Sequence, residues 1–420
     1  MSVVQKTVEY LKKDEIAKNG AIIFISSIIA GIFNYIYQVY MGRVLGPEEY
    51  GVFGALFAIF YMIGIISQTL GTSTTQFVSK FVGEGKQIGF FIKGALKRTV
   101  LLGSTISIIF LIFSSQLMDI LKLSSVVPIL ILIFILFLTW ISPIIDGSLR
   151  GLKKFSILSV TNISGAFFKL FFGVLLVMLG LRAGGALMGA ALGILFGLVI
   201  SIFFLKPYIR PNNPHEPDFR FRNFYSNSLP VMVAMISYSV PSNLDVILAK
   251  YFFSPLEAGI YNSVAVLGKI IFFFPGAIGT VGFPMIAEKY VRGEDTKDIL
   301  KKSIIYTGIL SGLLVLIYVL FPGIVIKIFG QKYLNAIDFV APYGMAMFFF
   351  SITGVMVNYH LAVRNVRYIA LFAGFTVIEI IMLTIFNSSI VEMIEILFMV
   401  NLIFLIVSMV YTFGGISTTK

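Results

Sequence analysis

Residues 40–51, YMGRVLGPEEYG, set an arginine, two glutamates, a proline and three glycines between two long apolar runs. In a chain of 420 residues that is 58% hydrophobic and 12% charged, such a cluster marks a tight polar connection between two apolar helices. A weaker copy, YFFSPLEAG, stands at 251–259. Pro47, Glu49 and Gly51 match Pro255, Glu257 and Gly259 at a constant offset of 208.

The surroundings of these turns decide the class. With 42 phenylalanines and a mean hydropathy of +0.96, the chain holds more apolar side chain than one water-soluble core can hide. Nine stretches lack Asp, Glu, Lys and Arg: 19–42, 50–79, 99–118, 123–145, 183–205, 223–244, 303–326, 339–363 and 396–419. Three more carry one charge each, 155–181 around Lys169, 258–287 around Lys269 and 368–391 around Glu379. Even the shortest crosses a hydrocarbon layer of roughly 30 Å as a helix, whereas barrel strands would be about ten residues long and alternating. An all-α integral membrane protein of about twelve helices is expected.

Orientation follows from the basic residues. With the N-terminus inside, 24 of the 32 lysines and arginines fall on inner segments and six on outer ones, which predicts cytoplasmic N- and C-termini in a multi-pass protein of the cytoplasmic membrane. The net charge of +12 is then a property of topology and of contact with an anionic inner leaflet, not of nucleic-acid binding. Val4, Val8 and Leu11 share one face of a lysine-rich segment, so residues 1–18 are expected to form a short interfacial helix. No small-residue cleavage site follows the first apolar run, which is expected to remain as helix one. Cysteine is absent, which excludes disulfides and thiolate metal sites.

The longest inner segment, 206–228, contains four prolines and divides the chain into an N-terminal six-helix bundle, 19–205, and a C-terminal one, 229–420. Because six is even, two such halves enter the membrane in the same direction, as parallel repeats. A looser echo aligns RGLKKF at 150–155 with RNVRYI at 364–369, pairing Arg150 with Arg364 and Lys153 with Arg367 at offset 214. Recurrence of Pro, Glu and Gly by composition explains either echo singly; together they favour duplication.

Ser27, Gly31, Asn34 and Gln38 form a polar stripe on helix one, and Gly64, Gln68, Gly71, Thr72, Thr75 and Ser79 form one on helix two. Small and hydroxyl residues also serve close helix packing, while Asn and Gln favour a wet cavity. Lys169 shares a face with Asn162, Gly165, Ala166 and Gly173, and Lys269 with Asn262 and Ala265. A lysine at membrane depth costs roughly 2.5–3.5 kcal/mol on insertion scales, so an anion should accompany it. Asp245 and Glu379 are candidates for internal ion pairs. The alternative is a phosphate-bearing substrate held by Lys169 and Lys269, with Arg43 at the outer mouth, where Glu48 and Glu49 also offer it a surface pair.

His215 and His360 are too isolated for a metal site or a catalytic triad, and no GxxxxGK[ST] motif is present. The outer loops are short, which disfavours a polyprenyl-dependent glycosyltransferase. No enzyme chemistry, metal or cofactor is expected, which leaves transport.

NYIYQVYMGRVLGPEEYGVFGAL at 34–56, RGLKKF, and DVILAKYFFSPLEAGIYNSVAVLGKI at 245–270 resemble the polysaccharide transporter family, the lipid-linked oligosaccharide flippases of the MOP exporter superfamily, relatives of MATE exporters and lipid II flippases. The resemblance implies two six-helix bundles around a central cleft. It implies movement of a polyprenyl (pyro)phosphate-linked glycan to the outer leaflet by alternating access, in the company of membrane lipids and glycan-assembly enzymes. Lys169 and Lys269 are the positions that fit phosphate binding by depth. Asn34, Gln38, Gln68, Thr72, Asn162 and Asn262 are the candidate cavity lining. The alternative within the superfamily is an H+ or Na+ coupled multidrug exporter. Asp245 is then the best carboxylate for the coupling ion, with Glu379 the second candidate.

Overall fold

The computed structural model describes residues 15–84, 88–209, 232–233, 235–273 and 275–414. The interfacial segment expected at 1–18 and the linker expected at 206–228 lie largely outside these. Among the described residues every regular element is helical.

One helical run, Glu15–Gly83, is broken at a single residue, Gly46, with φ 73° and ψ 169°. This divides it into α1 (15–45) and α2 (47–83). The backbone reverses through a conformation that glycine adopts without a Cβ clash, and Pro47 follows at the first helical position, where a missing N–H costs nothing. The turn read from 40–51 is therefore one residue wide, because helix continues through Leu45.

The remaining spans are α3 (Gly89–Ile112), α4 (Val127–Gly151), α5 (Phe155–Met178), α6 (Arg182–Ile209), a broken α7, a broken α8, α9 (Lys297–Leu320), α10 (Ile337–Ala362, entered by a 3-10 turn at Gln331–Ala336), α11 (Val366–Ile385) and α12 (Ile390–Phe413). The protein is a multi-pass, all-α membrane protein; twelve such elements are traced among the described residues, and ten helical stretches there are long and apolar enough to cross a membrane.

Two spans read as continuous are interrupted. α7 is helical at 232–233 and 235–239, turns at 240–243 and resumes as Leu244–Phe252. Pro241 supplies no N–H, and Ser242 and Asn243 turn their side chains onto local carbonyls (Ser242 Oγ to Ser239 O, 3.0 Å; Asn243 Nδ2 to Ser239 O, 2.9 Å). Asp245 thus opens a second half-helix instead of closing helix seven. α8 consists of Pro255–Phe273 and Gly276–Val291, with Pro275 between them.

The described residues fall into two compact units. Unit 1 takes its residues from 1–44 and 63–232, unit 2 from 45–62 and 233–420. α2 is therefore shared along its length: its first part belongs to unit 2, and the part from Ile63 onward belongs to unit 1.

Within unit 2 the two echoed turns touch. A Cβ on Gly51 would stand 2.9 Å from the Gly259 amide nitrogen, and a Cβ on Gly259 would overlap the Pro47 carbonyl. Asn262 Nδ2 donates to the Tyr50 carbonyl at 3.0 Å, and its side chain fills the space a Cβ on Gly54 would need. Residues 51 and 259, and 54 and 262, are separated by the same 208 positions as the prolines, so equivalent residues of the two echoes meet each other. Tyr50, buried beside this crossing, packs on Phe53, Phe329 and Tyr333 at ring separations of 5.8, 5.7 and 6.2 Å. The repeated Pro-x-Glu-x-Gly pattern is thus a contact pair as well as a pair of connections.

The second echo needs a change of register. Lys153 (φ 57°) and Arg364 (φ 55°) each occupy the left-handed position that ends a helix. The same paired bonds close both turns: Lys153 N to Arg150 O and Lys154 N to Leu149 O; Arg364 N to Leu361 O and Asn365 N to His360 O. The equivalent residues are therefore Lys153 and Arg364, 211 apart, and the alignment at 214 is corrected by three. A cation there lies at the negative end of its helix, which offsets part of the cost of φ > 0 in an L-residue.

Gly259→Leu, which forces side-chain atoms into the Pro47 backbone, should lower stability by about 1–3 kcal/mol or prevent folding. Gly308→Ala, where a Cβ meets nothing within 4 Å, should leave thermal unfolding in detergent unchanged.

Candidate functional site

In unit 1, Lys169 lies in the middle of α5 and donates from Nζ to Asn34 Oδ1 of α1 at 3.0 Å. The same ammonium stands 4.5 Å from the centre of the Tyr37 ring, a favourable cation–π position. Tyr37 is itself fixed, its hydroxyl donating to the Ala186 carbonyl of α6 at 2.5 Å. Gly193 of α6 lets the lysine's backbone approach so closely that a Cβ there would come within 2.7 Å of Lys169 Cβ. Asn34 is held in turn by donation from Nδ2 to Ala30 O at 2.9 Å, which aims its oxygen at the ammonium.

In unit 2, Lys269 of α8 donates to Asn243 Oδ1 at 3.2 Å. Asn34 lies 13 residues before Pro47 and Asn243 lies 12 before Pro255, so the two asparagines hold nearly equivalent places ahead of the two turns. Asp245 is an electrostatic neighbour of Lys269. Its hydrogen bonds come from elsewhere: Oδ2 accepts from Tyr343 at 2.7 Å and Tyr261 at 3.0 Å, while Oδ1 is buried without a hydrogen-bond partner. Glu379 of α11 is buried within electrostatic reach of Asp245, and its Oε1 also lacks a hydrogen-bond partner. Thr376, one turn earlier, donates to the Ser237 carbonyl at 2.9 Å and fixes α11 against α7. A break in a spanning helix, two carboxylates and a lysine thus gather in one unit.

The other candidates separate. Asn262 is buried in the Tyr50 crossing. Gln68 and Thr72 are exposed on α2, and Arg43 is exposed in the last turn of α1. Gln38 is half-buried, with its Oε1 enclosed and lacking a hydrogen-bond partner. Asn162 is exposed and lines a cavity of unit 1 described below. His360 is a core residue, stacked on Tyr368 at 3.9 Å with Nε2 against Thr412 Oγ1 at 2.9 Å. No group of three or more His, Cys, Asp or Glu residues suited to a metal occurs among the described residues.

Sequence reading missed four contributors. Asn243 carried a signal, since Pro-Ser-Asn inside an apolar run marks a helix break. Asp146 lies one residue beyond the run 123–145 and read as its boundary, although α4 continues to Gly151. Tyr261 and Tyr343 carried none, because nothing local distinguishes a tyrosine that bonds a distant carboxylate.

Replacing both tyrosines by phenylalanine leaves the buried Asp245 without its donors, which should cost about 1–3 kcal/mol. The loss of melting temperature should largely vanish in an Asp245→Leu background, because the carboxylate that needs the hydroxyls is then absent.

Comparison with known proteins gives the same architecture. Over 93% of this chain and 96% of the other, the fold matches an inward-facing multidrug resistance MATE family transporter of the MOP superfamily with a TM-score of 0.73 at 14% identity. The lipid II flippase MurJ in an inward closed conformation matches with a TM-score of 0.71 at 14% identity, over 93% of this chain and 87% of that one. A MOP superfamily transporter from Pyrococcus furiosus Vc1, described as having a binding pocket of reversed polarity that suggests a different function, matches at 0.66 and 15%, over 95% of each chain. No curated protein sequence gives a significant match. The sequence profile for polysaccharide biosynthesis protein matches residues 16–290, well over half the chain. On that span the chain belongs to the polysaccharide biosynthesis protein family, and it carries the fold of the MOP superfamily transporters.

Proposed function

We propose that the protein moves a polyprenyl phosphate- or pyrophosphate-linked oligosaccharide from the cytoplasmic to the outer leaflet by alternating access, for cell-surface glycan assembly. The observation that carries this reading is a lysine within a membrane-spanning helix of each unit, each donating to a neutral asparagine. An ammonium is a compact point charge, and an anionic ligand brought beside it gains attraction in a medium of low dielectric. A phosphate linker supplies that anion, and a cationic drug would be repelled. The family's link to polysaccharide biosynthesis and the fold shared with a lipid II flippase support the same substrate class.

Asp245 and Glu379 suit the coupling step. Two neighbouring buried carboxylates, each with an oxygen lacking a hydrogen-bond partner, attract one proton or one small cation such as Na+. The same pair favours the second reading, an ion-coupled exporter of the MATE type. On this reading both termini lie in the cytoplasm, which the clustering of lysine and arginine in alternate connecting segments supports.

Lys169→Ala combined with Lys269→Ala should abolish transfer of the lipid-linked glycan in proteoliposomes while the variant elutes and melts as a folded protein. Glycan transfer surviving the double change would sink the phosphate assignment. Asp245→Asn should remove any dependence of the rate on an imposed H+ or Na+ gradient; an unaltered gradient response would exclude that carboxylate from coupling.

A further inference from the structure

Unit 1 contains a cavity of about 190 Å3 that none of the assignments above uses. It is lined by Ser26 and Ser27 of α1, Asp146 and Arg150 of α4, and Ser159, Thr161 and Asn162 of α5, with Ile23 and Leu158 as its apolar wall. It lies where α1 begins, α4 ends and α5 begins, the end that carries the basic turn Arg150–Lys154.

Its chemistry is unusual for a packing void. Asp146 and Arg150 are four residues apart on one helix, the spacing of an intrahelical ion pair. Arg150 acts on the carboxylate electrostatically, and the carboxylate's hydrogen bonds come from hydroxyls: Oδ2 accepts from Ser142 at 3.0 Å and Oδ1 from Ser201 of α6 at 3.3 Å. Ser201 is fully buried and bonded to Thr161 at 3.1 Å, so a chain of hydroxyls across three helices fixes the carboxylate. Ser159 Oγ, reaching the Ile22 carbonyl at 3.4 Å, ties α5 to α1 at the same level. Arg150 is exposed and lines the same space. The cavity therefore presents a planar cation at one place and a fixed acceptor at another, with neutral hydroxyls and an amide between them. A guanidinium matches two phosphate oxygens, and a carboxylate accepts from vicinal hydroxyls.

We infer that this cavity holds the phosphate-proximal sugar of the transported lipid, Arg150 binding the phosphate and Asp146 the hydroxyls of the first sugar. The inference rests on the proposed flippase function and adds a place where sugar, not only phosphate, is recognised. Asn162 and Lys169 lie seven residues apart on one face of α5, about 10 Å along its axis. Lys169 therefore stands two turns along α5 from the cavity lining. A phosphoethanolamine lipid headgroup shares this chemistry, with phosphate on Arg150 and ammonium on Asp146, and the experiment separates the two sources.

The test is equilibrium binding to the full chain in nanodiscs, using two probes: a polyprenyl phosphate, and the same lipid bearing one hexose on the phosphate. Arg150→Gln should weaken both by about tenfold or more, the scale of a charged hydrogen-bonded contact. Asp146→Asn should weaken only the hexose-bearing probe. Ser201→Ala, which loosens the carboxylate without removing it, should weaken that probe less. Thermal unfolding of each variant separates lost binding from lost fold. Equal loss of both probes in Asp146→Asn, or no loss in either variant, would overturn the assignment. Displacement of the hexose-bearing probe by phosphatidylethanolamine at equal concentration would also overturn it, as a headgroup site. Wild-type protein that binds neither probe contradicts the flippase function itself, whereas wild-type binding with unaffected variants contradicts only this site.

Discussion

A polar group inside a hydrocarbon layer has no water to fall back on, and nearly every unusual feature of this protein answers that constraint. Hydroxyls on the spanning helices turn back onto their own carbonyls, as Thr74 does to Leu70 and Ser148 to Ile144. Where the backbone departs from helix at 240–243, Ser242 and Asn243 supply local partners. Lys169 and Lys269 are each given an oriented amide oxygen. Asp245 is given two phenolic donors. Each arrangement fixes its polar group in place within its own unit.

The helix count, the membrane class and the positions of Lys169, Lys269, Asp245 and Glu379 were legible in the sequence, because charge is so rare here that each exception shows against an apolar run. The Pro47/Pro255 echo was legible for the same reason. Its contact was not: that Gly51 would meet Gly259, and Gly54 meet Asn262, depends on a crossing of segments 208 residues apart. Asn262 illustrates the limit, since a polar residue on a lysine's face reads as cavity lining, yet the chain uses it to bond the Tyr50 carbonyl. Tyr261 and Tyr343 were invisible because a buried phenol looks like any other aromatic in a chain with 19 tyrosines. The second echo slipped by three residues because matching basic letters is a weaker guide than the φ > 0 position that ends both helices.

The two units solve the same electrostatic problem with different elements. In unit 1 the lysine comes from the fifth span and is braced by a cation–π contact and a close glycine-lined crossing. In unit 2 it comes from the eighth and is braced by the broken seventh. On the proposed function, unit 1 bears the candidate sugar site and unit 2 the carboxylate pair suited to a coupling ion. The first part of α2 packs within unit 2, where Gly51 crosses Gly259.

Transfer of a fluorescent polyprenyl-pyrophosphate-linked sugar across proteoliposomes, scored by accessibility to an outside quencher, tests the central claim most directly. Protein-dependent loss of protection for this lipid, with no movement of a cationic dye under an H+ or Na+ gradient, is the result the account predicts. Gradient-driven movement of the dye, with the lipid-linked sugar left in its original leaflet, would contradict it and make the two lysines structural.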